Sequence, residues 1–361
     1  MLDTIIKNDY LIPEIDPFVD VWYKDCFHSS LFPIINHFVG NINPFLIKDV
    51  FLYNTENGED LPLINFKSKQ IEERKLIYEI LDEMGISCKA RIVSSDLIND
   101  LVEVINNNKP AIIGVDCFYE SIRADAYNKE HVAHSLLVYG FNRGEMCFNI
   151  IEHSFRFSID FKPKTITFSD LINSYNGFLE NLNDYKFTKD RLPSICRING
   201  IFPSFYEFAR GDNLQSAGTS LNDTKYISKY ANYMLNNKDM FSDSVESIKT
   251  FTEEFQSVIS GNLFLSGDTN QFLDNLNNVI NNKKAEKYVF CKVFGSQAGI
   301  VECFDNVIND WTSIRAFLAK YVYSTIYNKT HMDNCFSKLE NIYNQEKQYY
   351  DMLFSLMKTI V

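Results

Sequence analysis

The stretch from Val115 to Asn142 constrains this chain more than any other part of it. One apolar run, Ala111–Val115, enters the stretch, and a second, Leu136–Phe141, leaves it. Short apolar runs bounded by polar segments read as buried strands. Between them lie Asp116, Tyr119, Tyr127, His131 and His134. Two buried strands joined by a polar loop predict His134 at the mouth of a sheet, where an imidazole can serve as a base for a facing nucleophile. The best candidate nucleophile lies far upstream, at Cys26 in Tyr23-Lys24-Asp25-Cys26-Phe27-His28-Ser29-Ser30-Leu31. The spacing of Leu31, Ile34, Ile35 and Phe38 is helical, and Asp25 is placed to cap that helix. Cys26 then falls in the first turn, where exposed amides and the helix dipole stabilise a thiolate. Pro33 reads as close enough to the helix start to be tolerated.

The remainder of the front half reads as a mostly antiparallel sheet with a few helices. Phe45–Tyr53 reads as a strand ending at the turn signal Asn57-Gly58, and 70–84 as a helix capped by Gly85. A short strand over 87–93 and a helix over 95–106 precede the strand at Ala111. Met146–Glu152 forms a predicted hairpin with Leu136–Phe141, followed by a strand at 164–168 and a short helix. Pro193, Pro203 and the glycine-rich turns from Gly211 to Ser220 read as a linker region over 184–222. Everything beyond is helical by period, with a capping box at Asp268-Thr269-Asn270-Gln271. The expectation is an α+β domain over 1–183, the linker, and an all-helical domain over 223–361.

Composition narrows the class of function. Residues 1–200 carry −9 of the net charge of −12, which argues against nucleic acid and suits an amine-bearing substrate. No run reaches the roughly 18 apolar residues of a membrane helix. The start Met1-Leu2-Asp3-Thr4 has neither the basic nor the apolar part of a signal peptide, so a cytoplasmic protein is expected. The eight cysteines form no Cys-x-x-Cys pair, which speaks against a zinc or redox motif, and neither a metal nor another cofactor is expected.

A cysteine at a helix start, a histidine on a strand and an acid on the next strand form an ordered nucleophile, base and orienter: Cys26, His134 and Glu152. The predicted hairpin sets Glu152 beside His134 at one sheet edge. Asp116, Tyr119, Tyr127 and His131 are candidates for substrate binding, with a loop-bracing role open for Asp116 and Tyr127. Asn149 and His153 remain open as the third member, and Cys117 as a rival nucleophile.

The stretch Asp25-Cys26-Phe27-His28-Ser29-Ser30-Leu31 resembles the N-terminal motif of the butirosin biosynthesis protein H family. The stretch Asp116 … Tyr119 … Tyr127 … His131-Val-Ala-His134-Ser-Leu-Leu-Val-Tyr-Gly140-Phe-Asn142 is similar to that family's second motif. The resemblance spans residues 15–175, with the helical tail similar in placement and character. It implies a papain-like fold, related to bacteriocin-processing cysteine peptidases, in a protein of natural-product (antibiotic) biosynthesis. It also implies acyl transfer from a carrier-protein thioester to an amine through an acyl-cysteine. The expected partners are thus an acyl or peptidyl carrier protein, which brings its own phosphopantetheinyl arm, and an amine-bearing small molecule. Two departures stand out. The peptidases carry a glutamine six residues before the cysteine as an oxyanion donor, where this chain has Asp20; and Glu152 stands where Asp or Asn is usual. Lys67, Lys69, Arg74 and Lys75 form a candidate basic patch for an acidic carrier protein. The helical tail is open to three roles: shaping the acceptor site, docking the carrier, or forming a homodimer. A hydrolytic cysteine peptidase or amidase, and a non-catalytic binding domain of the same fold, are the alternatives.

Overall fold

The computed structural model describes residues 7–57, 61–71, 77–156, 158–182, 203–211, 223–260 and 268–361. In chain order these form β1 (Asp9–Leu11), α1 (Cys26–Val39), α2 (Asn43–Leu46), β2 (Asp49–Asn57), β3 (Pro62–Gln70), α3 (Ile77–Glu83) and β4 (Ile86–Arg91). Next come α4 (Leu97–Asn106), β5 (Ala111–Asp116), β6 (Ala133–Asn142), β7 (Cys147–Glu152), β8 (Lys162–Thr167), α5 (Phe168–Gly177) and β9 (Phe205–Arg210). The chain continues with α6 (Asp223–Asn236), α7 (Lys238–Ser260), α8 (Thr269–Phe294), α9 (Ala298–Ser324) and α10 (Lys329–Ile360). The architecture is mixed α/β, with an antiparallel sheet and a C-terminal helical part. It divides into two compact units, residues 1–44 with 74–221 and residues 45–73 with 222–361.

The first unit is built on a seven-stranded sheet in the order β4-β9-β5-β6-β7-β8, with β1 added to the far end of β6. Every pairing is antiparallel. Every residue of β5 is buried, as is almost all of β6, so neither strand has a solvent face. That is why both appear in the sequence as continuous apolar runs rather than alternating ones. Helices α1, α4 and α5 pack on these two strands. β6 and β7 change register between Val138 and Gly140. A Cβ at Gly140 would stand 2.6 Å from Leu11 Cδ1 and 3.0 Å from the Tyr10 carbonyl oxygen, so only glycine lets β1 approach here.

Helix α1 starts where the capping argument puts it. Asp25 has extended backbone angles and its carboxylate accepts the His28 amide at 3.0 Å. Gly40, in the left-handed region at φ 72°, ends the helix. Pro33 lies well inside the helix, past the first turn, and the helix continues through it.

Three local expectations shift. Residues 45–53 begin in the short α2 and become strand only at Asp49. The span 70–84 ends a strand at Gln70 and is helical from Ile77, with residues 72–76 outside the described set. The linker span 184–222 contains β9, an interior strand between β4 and β5. Its residues Phe205 and Phe208 are fully buried, and that burial outweighs the surrounding breakers.

The second unit is not purely helical. The β2–β3 hairpin belongs to it, with α7 against β2 and both α7 and α8 against β3. Its largely apolar core encloses a polar network. Lys283, fully buried, donates to Glu286 Oε2 and Glu346 Oε2, each at 2.8 Å. Tyr53 from the hairpin donates to Glu346 Oε1 at 2.7 Å, and Trp311 Nε1 donates to the Tyr53 hydroxyl at 3.2 Å. Tyr349 donates to Glu286 Oε1 at 2.8 Å. Each buried charge has a partner, the condition under which such a network is tolerated. No helix among the described residues is long and apolar enough to cross a membrane.

Candidate functional site

Four segments of the first unit converge: the start of α1, the start of β6, the end of β7 and the loop between β5 and β6. Cys26 is the first residue of α1 and is half-buried. Its thiol lies beside Ser135, the residue after His134, whose polar groups favour the thiolate. The Ser30 hydroxyl, one turn along α1, donates to the Ser135 carbonyl at 3.0 Å and pins helix to strand. His134 Nε2 stands 2.7 Å from Glu152 Oε2, with Glu152 fully buried. With the carboxylate accepting, Nε2 carries the proton and Nδ1 keeps the lone pair. The contact follows from the β6–β7 hairpin, which sets the last residue of β7 beside the first residues of β6. Cys26 and His134 are not themselves hydrogen-bonded.

The electrostatics hold this pair neutral at rest. Burial, and then the Asp25 carboxylate, push the Cys26 thiol up to about 12. Burial, and then Arg123, pull the His134 imidazole down to about 3. The effect expected of the helix start is therefore outweighed by desolvation and by the acid that caps it. Burial also pushes Asp25 upward, but the His28 imidazole, 2.8 Å from Asp25 Oδ1, outweighs it and holds the carboxyl below its ordinary value.

Around the pair lies a buried ionic cluster that sequence reasoning missed. Arg123 Nη1 stands 3.7 Å from Glu152 Oε1, while its Nε and Nη2 donate to the two Asp125 oxygens at 3.1 Å each. Glu120 is fully buried and neither of its carboxylate oxygens has a hydrogen-bond partner; burial, and then the Glu152 charge, push it up to about 7. Burial likewise raises Glu152. His153 stacks against Trp22, Phe161 and His134, with ring centres 5.8, 4.5 and 5.4 Å apart. Its Nδ1 lies 2.9 Å from the Ser158 carbonyl oxygen and its Nε2 3.3 Å from Glu152 Oε1. The close spacing of Arg123 and Asp125 in an otherwise polar loop was the one visible signal of this cluster.

The substrate-binding candidates separate. The buried Asp116 carboxylate accepts the amides of Phe118 at 3.1 Å and Val132 at 3.2 Å and contacts His131 Nδ1 at 2.6 Å. It braces the β5–β6 loop. The half-exposed His131 ring stacks on Phe118 at 4.4 Å. Tyr119 packs against Gly177, where a Cβ would come within 2.4 Å of its ring. Tyr127 is exposed on the loop. Of the open third members, Asn149 sits by Gly140 in the middle of β7, and Glu152 holds the imidazole. The rival Cys117 is fully buried, 3.3 Å from Arg123 Nη1, and burial raises its thiol further. Asp20 is exposed. In the basic patch, Lys67 and Lys69 are exposed, while Arg74 and Lys75 lie outside the described residues.

The thiol, imidazole and carboxylate can together pass an acyl group or a proton. The two imidazoles and the carboxylate also form the one metal-competent group of His, Cys, Asp and Glu side chains found among the described residues. No protein-family model and no curated protein matches this chain.

Proposed function

We propose that the chain is a cysteine-dependent acyltransferase with a papain-like catalytic unit. It would move an acyl or aminoacyl group from a carrier-protein thioester to an amine. The observation that carries this reading is the buried 2.7 Å contact between His134 and Glu152, with the Cys26 thiol beside the residue following His134. The resemblance of the Cys26 and His134 stretches to the butirosin biosynthesis protein H family supplies the substrate class. In the first half-reaction Cys26 Sγ attacks the thioester carbonyl and its proton passes to His134 Nδ1. The donor carbon–sulfur bond breaks, and the carrier thiol leaves with the proton from His134. In the second half-reaction the amine nitrogen attacks the acyl-cysteine, His134 takes a proton from it, and the Cys26 thiol is regenerated. Glu152 orients the imidazole and stabilises it while it is charged. The Cys26 backbone amide, in the first turn of α1, is the oxyanion donor this reading assigns.

Because thiol and imidazole rest neutral, the proton moves only as attack occurs. Amine capture in preference to hydrolysis requires that water be kept from the acyl-cysteine. Intact-mass spectrometry after incubation with small acyl thioesters, followed by peptide mapping, tests the reading. An adduct on Cys26 that amines discharge faster than water supports it. Turnover unchanged in Cys26→Ala overturns it. Discharge by water alone moves the assignment to a hydrolase. The high thiol value and the missing thiol–imidazole hydrogen bond favour a second reading, a binding domain that keeps the fold without the chemistry. Resistance of Cys26 to both thioesters and iodoacetamide in the folded protein would support it.

A further inference from the structure

We propose that His134, Glu152 and His153 form a binding site for a divalent d-block cation of the zinc class, and that occupancy withdraws His134 from its role as a base. The first part stands on geometry; the second rests on the acyl-transfer reading. The argument starts from a proton count. The Ser158 carbonyl can only accept, so His153 Nδ1, 2.9 Å away, is the protonated nitrogen. His153 Nε2 therefore bears a lone pair, in a side chain only 2% exposed, and receives no hydrogen bond. That lone pair faces Glu152 Oε1 at 3.3 Å. Oε1 already accepts the His153 backbone amide at 2.8 Å, whereas the Nε2 lone pair is met by nothing, and a cation seated between it and the carboxylate answers both.

His134 Nε2 completes the set, and the three donor atoms lie within 4.8 Å of one another. On binding, the Nε2 proton of His134 moves to Nδ1, so the ring stays neutral, the Nε2 lone pair turns to the metal, and Nδ1 no longer has a lone pair to take the Cys26 proton. Two imidazoles and one carboxylate favour zinc, cobalt or nickel over magnesium or calcium, which prefer oxygen. The hydrogen bond from His153 Nδ1 to a backbone carbonyl is the outer contact that metal-bound histidines use to fix their tautomer. The charge balance agrees. Glu120 and Glu152 are two buried acids, and Arg123, 3.7 Å from Glu152, divides its charge with Asp125, which holds its other two nitrogens. Remaining coordination positions fall to water.

Cobalt titration of the full chain, read by its visible d–d bands, measures binding whatever the activity. Tetrahedral bands that saturate at one cobalt per chain are expected. His153→Gln should weaken binding at least ~10-fold, and Cys26→Ser should leave it unchanged. X-ray absorption of the zinc-loaded wild type needs no variant to fold. It should find two imidazole nitrogens at about 2.0–2.1 Å and no sulfur at about 2.3 Å. Absence of cobalt bands in the folded wild type, equal binding by folded His153→Gln, or a sulfur ligand would each overturn the site. If the site binds but zinc leaves the rate of Cys26 acylation unchanged, the regulatory half fails. If Cys26 is never acylated, with or without metal, the acyl-transfer reading fails and the metal site stands.

Discussion

His134 and Glu152 meet at 2.7 Å across two neighbouring strands, and Glu152 has no exposed surface. A carboxylate so placed sets both the orientation of the ring and the nitrogen that carries its proton. Glu152→Gln keeps the shape but loses the charge that stabilises an imidazolium. Formation of the acyl-cysteine should fall by ~100-fold or more, within the usual range for losing a positioned acid–base partner. Single-turnover acylation followed by mass spectrometry measures this. A rate within a few-fold of wild type would remove Glu152 from the mechanism.

The neutral resting state of Cys26 has a kinetic signature. With the thiol pushed up to about 12, only the small thiolate fraction reacts with iodoacetamide. Alkylation of Cys26 should therefore rise about tenfold per pH unit between pH 7 and 9, with no plateau. A plateau beginning below neutrality would show a thiolate–imidazolium pair instead. Asp25→Asn keeps an acceptor for the His28 amide but removes the charge that raises the thiol. Alkylation in that variant should be several-fold faster at the same pH.

Acid should destabilise the fold in a defined window. His134 and His153 are held at about 3 and about 4 against an ordinary 6.5, so on acidification the unfolded chain takes up their protons first. Their contribution is complete above 6.5 and is lost as pH falls towards 4 and 3. Glu120, raised to about 7, has the opposite sign between its ordinary 4.5 and 7. The two effects oppose each other from 6.5 to 4.5, and below 4.5 the histidines act without opposition. Urea midpoints should vary gently from pH 6.5 to 4.5 and drop steeply from there to pH 3. A flat profile below 4.5 would show that these rings are not buried neutral.

In the second unit, Lys283 is the cation that makes two buried glutamates tolerable. Lys283→Met leaves Glu286 and Glu346 without it and should cost roughly 3–5 kcal/mol. Adding Glu346→Gln should recover part of that loss. Chemical denaturation of the single and double variants measures both. Equal stability of wild type and Lys283→Met would contradict the network.

Much of the first unit is legible residue by residue. β5 and β6 declare themselves because strands covered on both faces need apolar side chains at every position, and few other local structures do. Asp25 declares the start of α1 because a cap is a contact between residues three apart. The contact of His134 with Glu152 follows from the hairpin, again a local feature. β9 was hidden because its only warrant is the gap between β4 and β5, far away in sequence. The β2–β3 hairpin carries no mark that Tyr53 will meet Glu346 and Trp311. Asp116 illustrates the same limit: its place at the end of β5 was readable, and its full engagement with Phe118, Val132 and His131 was not.

The sequence by itself determined the helix start at Cys26, the two central strands and the hairpin that joins His134 to Glu152, because each rests on periodicity, capping or turn chemistry within a short span. Only the tertiary structure decided the protonation of the site. Burial, with Asp25 acting on the thiol and Arg123 on the imidazole, holds both neutral, and the packing leaves a lone pair of His153 facing a carboxylate. Desolvation depends on everything packed around a group, and no short stretch of chain carries that information.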